Sequence, residues 1–288
     1  MSATLAKGGT DRSVLLILVL PGLLALGVTF VLPLIWLIRA SLAPSAFTAI
    51  TSPDWTVGSY SAVLFDPFYW RVALNTLTLG LTVSAFAVVL SYPIALFLVR
   101  TPSRWRGVLT ALAVAPLLTS AVVRTYGWMV ILGDRGVING ALTSLHLIER
   151  PLPLSNNSFG ATVALIEIFM PYAILAMLSG FGRLNSALEE AAAMLGANRL
   201  RVFTRIILPL SLPGVLTAAL LVFVLAISSF VTPRLLGGGR VFVLGTEVYN
   251  EATVTLNWPL AAALSVILLV LFSSVIVLYQ RALRSLEG

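Results

Sequence analysis

Cysteine is absent from this 288-residue sequence, and histidine and lysine each occur once. Without cysteine the chain has no disulfide framework, no thiol nucleophile and no cysteine-ligated metal. The single histidine, His146, falls in a polar connection, where we expect a solvated side chain rather than a metal ligand. With Lys7 as the only lysine, the phosphate-binding sequence G-x-x-x-x-G-K-[ST] does not occur. The chain is therefore expected to hydrolyse no ATP by itself.

Charged residues are also scarce, at 10% of the chain against about 25% in soluble domains. Hydrophobic residues make up 59%, and the mean hydropathy is +1.01. A soluble globule with this composition would expose a large apolar surface, so the sequence predicts an integral membrane protein. The apolar runs are continuous rather than alternating, which predicts helices and not the strands of a barrel.

Six apolar segments are long enough to cross a hydrocarbon core of about 30 Å as helices. They are Val14–Ile38, Val72–Val99, Gly107–Leu132, Phe159–Phe181, Pro213–Leu236 and Trp258–Gln280. The first is too long for a signal peptide and is interpreted as a retained helix. The fold class predicted is an all-α polytopic membrane protein, with residues 1–288 forming a single transmembrane domain.

The distribution of basic residues predicts the orientation in the membrane. An even number of spans places both termini on one side, and eleven of the 18 Lys and Arg residues fall in the segments on that side. Short cytoplasmic loops collect Lys and Arg, so we predict that both termini are cytoplasmic. Six acidic residues then fall in the outer segments: Asp54, Asp66, Asp134, Glu149, Glu247 and Glu251.

A polar helix-forming passage interrupts the apolar chain between the fourth and fifth spans, within residues 183–212. Ser186 and Glu189 have the spacing of a capping box at a helix start, and Glu190 also lies in the first turn, where the helix dipole favours negative charge. Gly196 is placed to end this helix with a positive φ. The passage therefore predicts a short amphipathic helix that stops at the glycine.

A second helix is predicted directly after the glycine. Asn198 is a candidate N-cap, Arg201 and Arg205 share one face, and Pro209 is expected to stop the helix before Pro213 opens the fifth span. Residues 183–212 thus form a helix–turn–helix segment, called the elbow below.

The elbow has two interpretations. One is an amphipathic connector in the lipid headgroups, with its arginines on phosphates. The other is a docking surface for a protein, approached closely over the small side chains of Ala187, Ala191 and Ala192. The adjacent carboxylates Glu189 and Glu190 favour the protein partner, because anionic lipid would repel them.

The elbow resembles the EAA signature of inner-membrane permeases of bacterial ATP-binding-cassette importers. Glu190-Ala191-Ala192 is followed four residues later by Gly196, and then, after nine residues, by Ile206, with Leu208 and Pro209 beyond it. In that family the segment is a coupling helix that docks on a cytoplasmic ATPase. The resemblance implies coupling roles for a set of residues: Glu189, Glu190, Ala191, Ala192, Gly196, Ala197, Asn198, Arg201, Ile206, Leu208 and Pro209.

Looser similarity extends over nearly the whole chain, in "PLLTSAVVRTYGWMVILGDRGVIN", "LPLSLPGVL", "FVTPRLLGGG" and "LNWPLAAALSVILL". These stretches resemble the permeases that import spermidine, putrescine and related solutes; an opine, an amino acid derivative or an aminophosphonate is the alternative solute. The resemblance implies a bacterial inner-membrane location. It also implies a second homologous permease, forming a heterodimer, two ATPase subunits that bind ATP and magnesium, and an external solute-binding protein. No cofactor or metal of its own, and no nucleic acid partner, is expected.

An ion-coupled transporter or channel is the rival class, because such proteins carry ionisable groups within the membrane. Only Arg124 and Glu167 fall well inside predicted spans, and they are interpreted as a buried ion pair, as lining of a solute path, or as marking a misplaced helix boundary. Five aromatic residues are candidates for contacts with an ammonium solute, or for interfacial belt and packing positions. They are Tyr126, Trp128, Tyr172, Phe230 and Trp258.

Overall fold

The computed structural model describes residues 12–44, 55–101 and 104–287, and over these residues the regular structure is helical with no strand. The α-helices, in chain order, are α1 (Arg12–Leu26), α2 (Leu32–Ser41), α3 (Gly58–Phe65), α4 (Pro67–Arg100), α5 (Arg106–Val114), α6 (Ala121–Leu132), α7 (Val137–Ser144), α8 (Ser158–Gly180), α9 (Ser186–Met194), α10 (Arg199–Val202), α11 (Leu208–Ser228), α12 (Val231–Leu236), α13 (Leu244–Thr253) and α14 (Trp258–Glu287). The predicted all-α class is confirmed.

Five helical segments of the described chain are long and apolar enough to cross a membrane, and a bent helix pair makes a sixth. The continuous segments are Val19–Ser41, Pro67–Arg100, Ser158–Gly180, Arg199–Ser228 and Trp258–Arg281; the bent pair is Arg106–Leu118 with Ala121–Ser144. In the first segment a π-helical turn, Gly27–Val31, joins α1 to α2 without a break. The number of spans agrees with the sequence, but two boundaries differ.

The third span is not the continuous helix predicted over Gly107–Leu132. After α5 the chain tightens into a 3₁₀ turn at Ala115–Leu118, and it bends by 90° before α6. Pro116 lacks the N–H that an α-helix would use. Ser120 then caps the new helix, since its Oγ accepts the N–H of Val122 at 3.3 Å. A proline followed by a good N-cap residue thus breaks this span.

The fifth span also differs from the predicted Pro213–Leu236. The helix runs without interruption from Arg199 to Ser228, and residues 231–236 form the separate short helix α12. Pro209 does not stop the helix, because a π-helical turn (Phe203–Ile207) precedes it and the N–H of Leu208 reaches back to the carbonyl of Phe203. The shifted hydrogen-bond register leaves room for a residue that has no N–H.

The centre of the bundle is formed by α4, α8 and α11, which pack against one another along most of their length. At the end near the elbow the backbones touch: a Cβ built on Gly180 would lie 2.3 Å from the Cα of Gly214. Ser84 Oγ donates to the carbonyl of Ala219 at 2.7 Å, joining α4 to α11. Lipid tails are as apolar as helix side chains, so burial of one helix against another gains little hydrophobic free energy in the membrane. Close packing of small residues and interhelical hydrogen bonds hold the helices together instead.

The two ends of the bundle carry different structures. The C-terminal end of α4, at Arg100, meets α9, whereas its N-terminal end, about 50 Å away, lies beside α13. At this far end Thr76 Oγ1 accepts the N–H of Leu244 at 2.8 Å, and α13 packs along α14. The elbow and α13 therefore lie at opposite ends of the molecule.

Candidate functional site

The first helix of the elbow, α9, has its N-cap one residue earlier than the capping box predicts. Asn185 is the N-cap of α9, and its Oδ1 accepts the N–H of Ala187 at 3.0 Å. The carboxylate of Glu189 does not close a capping box; its Oε1 instead lies 2.5 Å from Nη2 of Arg100. Asparagine at an extended position is as strong a cap as serine, which explains the shift.

Gly196 ends α9 in the conformation that the sequence predicts. Its φ is +80°, and a Cβ built there would meet nothing within 4 Å. Two hydrogen bonds close the turn: the N–H of Gly196 donates to the carbonyl of Ala193, and the N–H of Ala197 donates to that of Ala192, both at 3.0 Å. This is a Schellman motif, so glycine is required by its backbone conformation and not by crowding.

Asn198 caps the second helix as predicted, with Oδ1 accepting the N–H of Arg201 at 2.8 Å. That helix is the beginning of the fifth span rather than a separate short helix ended by Pro209. The elbow is therefore one short helix, a turn of four residues and the end of a membrane helix.

Most of the predicted coupling residues lie at the surface. Glu190, Ala191, Gly196, Asn198, Arg201, Leu208 and Pro209 are exposed, while Glu189, Ala192, Ala197 and Ile206 are half-buried. Three large apolar side chains beside them are also exposed: Met194 and Leu195 at 89% and Leu200 at 70%. Sequence reasoning missed Met194 and Leu195, although two apolar residues directly before the predicted C′ glycine were a usable signal.

A cleft of about 540 Å³ lies between α9 and the beginning of the fifth span. It is lined by both carboxylates of the elbow, by two arginines and by small or apolar side chains, among them Arg100, Glu189, Glu190, Arg199 and Phe203. The elbow end thus combines fixed backbone geometry, exposed apolar residues and charges of both signs.

A second cluster forms within the membrane-spanning region around Arg124. Its Nη2 lies 2.5 Å from Oε1 of Glu167 and donates to the Glu167 carbonyl at 2.9 Å. Nη1 donates to the carbonyls of Ile168 at 3.4 Å and Pro116 at 3.5 Å. Trp128 Nε1 donates to the other carboxylate oxygen of Glu167 at 3.1 Å. Of the alternatives left open by the sequence, the geometry is that of an ion pair between helices.

The prolines explain why an arginine is needed here. Pro171 lies four residues after Glu167 and has no N–H, so the Glu167 carbonyl loses its partner within α8. Pro116 lies where α5 gives way to the 3₁₀ turn. The guanidinium of Arg124 donates to a carbonyl at each of these two irregular positions. It therefore fixes the 90° bend against α8, in a region where unpaired backbone groups are costly.

The other aromatic candidates are dispersed. Tyr126 and Trp258 are 54% and 52% exposed. Tyr172 packs edge-on against Phe169, with ring centroids 6.2 Å apart. Phe230 stacks on Tyr249, which holds the guanidinium of Arg234 at 4.2 Å on its ring. The structure therefore brings together Arg124, Trp128 and Glu167 of the predicted pathway residues and gives the remainder other surroundings.

Replacing Arg124 by Gln is expected to lower the thermal stability of the purified protein. The change leaves the Glu167 carboxylate and its carbonyl without their charged donor, a loss of about 1–3 kcal/mol, moderated because the Glu167 side chain is 38% exposed. Thermal unfolding in detergent measures the effect. The double variant with Glu167→Gln should recover much of the loss. The matched control, Arg135→Gln at an exposed position, should leave Tm unchanged; an equally small change for Arg124→Gln would contradict the structural role.

These features define a polytopic helical membrane protein with a rigid, exposed elbow at one end. The chain belongs to the family of binding-protein-dependent transport system inner membrane components, whose family model matches residues 7–287. The resemblance noted in the sequence is confirmed.

Named relatives cover most of the chain. The spermidine/putrescine transport system permease protein PotB of Haemophilus influenzae is 33% identical over 232 residues, which is 81% of each chain. PotB of Escherichia coli is 31% identical over 256 residues, covering 89% of this chain and 93% of its own. These relatives are similar throughout and not at the elbow alone.

Solved structures share the fold. A bacterial ABC transporter involved in the import of the acidic polysaccharide alginate matches with a TM-score of 0.79 at 19% identity, over 97% of this chain and 98% of its own. The MetNI methionine ABC transporter, in an inward-facing conformation, matches with a TM-score of 0.57 at 19% identity, over 77% of this chain and 98% of its own. At 19% identity, these structural matches show a shared fold.

Proposed function

We propose that this chain is the permease subunit of an ATP-binding-cassette importer and forms half of the translocation pathway for a polyamine such as spermidine or putrescine. The observation that carries the proposal is the similarity to PotB permeases over four-fifths or more of the chain. The rigid elbow at one end of the bundle supplies the structural counterpart, because a subunit without its own nucleotide site needs a place where ATP-driven movement is delivered.

The elbow is the proposed docking element for a dimer of cytoplasmic ATPase subunits. Its helix is capped at both ends, so a partner meets a preformed surface and loses little entropy in ordering it. The exposed Met194 and Leu195 supply apolar contacts, and Glu190 supplies a charge beside them. The ion pair of Glu189 with Arg100 joins this surface to the end of α4.

The remaining partners follow from the same arrangement. With the elbow on the cytoplasmic side, both termini are cytoplasmic and the far end faces outward, as the distribution of basic residues predicts. A solute-binding protein would deliver the polyamine to that far end. A second, homologous permease would complete the pathway as a heterodimer. Transport then proceeds by alternating access, driven by closure of the ATPase dimer.

We assign a structural role in the permease to the cluster of Arg124, Trp128 and Glu167. The Arg124 side chain is 10% exposed and its guanidinium already contacts four oxygens, so little capacity is left for a solute. Tyr126, Tyr172, Phe230 and Trp258 stay as candidates for contacts along the path or with the partner permease.

Uptake by the reconstituted complex tests the proposal. The chain is co-expressed with its partner permease, ATPase and binding protein and placed in liposomes, and uptake of radiolabelled spermidine and putrescine is measured with and without ATP. Saturable, ATP-dependent uptake of either amine is expected. Uptake without any ATP-binding subunit would instead indicate an ion-coupled transporter, and transport of an opine or aminophosphonate with no amine uptake would overturn the choice of solute.

A further inference from the structure

An unpaired carboxylate lies buried at the far end of the bundle. Glu247, in the first turn of α13, is 6% exposed, yet no hydrogen bond or ion pair to its carboxylate is found over the described chain. The carboxylate oxygens of Glu247 are not fully enclosed. Among the described residues, the one fully enclosed side-chain nitrogen or oxygen without a hydrogen-bond partner is Ser59 Oγ. A buried carboxylate without a partner is costly to keep charged, and a bound cation offsets that cost.

A second carboxylate adds to this cost. Glu251 lies four residues after Glu247, on the same face of α13, and its Oε2 accepts the hydroxyl of Thr255 at 2.5 Å. Burial raises the pKa of the Glu247 carboxyl above its usual range, and the charge of Glu251 raises it further. Both effects disfavour the charged form of Glu247, and a positive group bound at this helix face would offset both.

A basic side chain contacts α13, but on the side away from Glu247. Arg234 places its guanidinium 4.2 Å from the ring centre of Tyr249. Since residues two apart on a helix point in nearly opposite directions, Tyr249 and its arginine lie across α13 from Glu247. The ion pairs of the described residues are Arg100–Glu189 and Arg124–Glu167, neither of which involves α13.

Aromatic side chains of α4 pack in the same apolar cluster as Leu244 and Val248 of α13. Tyr69, in the first turn of α4, lies within electrostatic range of both Glu247 and Glu251. Its ring packs edge-on against Phe68 at 5.3 Å, and Phe68 packs against Phe242 at 5.8 Å. An ammonium group is recognised by carboxylates together with aromatic rings, whereas a neutral or anionic solute would gain nothing from this combination.

We propose that Glu247 and Glu251 of α13, together with Tyr69 of the neighbouring helix α4, form a binding site for one ammonium group of the transported organic cation. The inference rests on the proposed function for the choice of solute and adds the location at which this chain receives it. The site lies at the end of α4 opposite the elbow, where the solute arrives if the elbow faces the ATPase. Polyamines carry two or more ammonium groups, so one can bind here while another stays with the delivering protein.

The test compares Glu247→Gln with the matched control Glu149→Gln, an exposed carboxylate in the connection before α8 at the same end. Putrescine uptake by the complete complex in liposomes is measured together with equilibrium dialysis of radiolabelled putrescine against the complex lacking its binding protein. We expect Glu247→Gln to raise the KM for uptake at least about tenfold, equivalent to about 1.4 kcal/mol, and to abolish retention in dialysis. The control variant, Glu149→Gln, should match the wild type in both measurements.

The outcomes separate the site from the function. Wild-type uptake that Glu247→Gln leaves unchanged overturns the site and leaves the importer assignment standing. If the wild-type complex transports no amine, the proposed solute is wrong, and dialysis of putrescine decides the site on its own. Weaker capture of the binding protein with unaltered putrescine binding would show that a partner's basic side chain fills the site, which also overturns the proposal. If Glu247→Gln fails to assemble, Glu251→Gln provides the same measurement, with a smaller expected loss because Thr255 already partners that carboxylate.

Discussion

Replacing Gly196 by proline is expected to abolish ATP-driven uptake while leaving the protein inserted in the membrane. Proline fixes φ near −65°, whereas the turn needs +80°, and it removes the N–H that donates to Ala193. The turn must therefore rearrange, and α9 leaves the position proposed for docking on the ATPase. A loss of about 2.8 kcal/mol in ATPase association weakens binding about a hundredfold, which should eliminate co-purification of the ATPase.

A graded series makes the Gly196 result specific. Gly196→Ala should give an intermediate loss, because an alanine in the left-handed conformation costs about 1–2 kcal/mol. Gly107→Ala is the matched control: nothing lies within 4 Å of a Cβ there, and its φ is not in the left-handed region. Full solute-stimulated ATPase activity in Gly196→Pro would show that the elbow is not the coupling element.

Reversing the charge of Glu190 is expected to disrupt coupling without unfolding the permease. Glu190 is exposed, and no ion pair to it is found in the part of the chain that the structure describes, so Glu190→Lys should change folding stability by less than about 0.5 kcal/mol. A surface complementary to a carboxylate repels an ammonium in the same place, which raises the dissociation rate and lowers the association rate. Uptake and ATPase co-purification should both fall about tenfold or more.

The neighbouring carboxylate gives a contrasting result. Glu189 already pairs with Arg100 inside the chain, so Glu189→Gln should lower the thermal stability of the elbow end more than Glu190→Lys does. Glu149→Lys, at an exposed position before α8, is the charge-matched control and should transport normally. Thermal unfolding and ATPase pull-down, measured on the same preparations, distinguish the two roles. Equal retention of the ATPase by Glu190→Lys and the wild type would rule out Glu190 as a docking residue.

The parts of the elbow that the sequence predicts are those determined within a few residues. Gly196 and Asn198 act through their own backbone and through amides one to three positions away, so composition and spacing suffice. The N-cap was less certain, because Asn185 and Ser186 are adjacent and either side chain can cap. The prediction that Pro209 ends the helix was wrong for a different reason. A π-helical turn before Pro209 accommodates the missing N–H, and no residue pattern predicts that turn.

Longer-range features were only partly predictable. Arg124 and Glu167 stand out as the charges within the spans, which made a pair one of the alternatives, but their contact depends on the 90° bend before α6. The burial of Glu247 was not predictable, because it arises where α13 packs on α14 and α4. A sequence places that residue only in an outer connection between two spans.

In the proposed mechanism, the unbroken helix from Arg199 to Ser228 determines how a displacement at the elbow reaches the membrane. Thirty residues at 1.5 Å each make a rod of about 45 Å that begins two residues after the Gly196–Ala197 turn. If the helix were hinged at Pro209, a displacement of the elbow would bend the helix there. A continuous helix instead transmits the displacement as a tilt of the whole fifth span. The contact of Gly180 with Gly214 lies along that rod and can serve as its pivot, so enlarging either glycine should stiffen the transporter as well as misalign it.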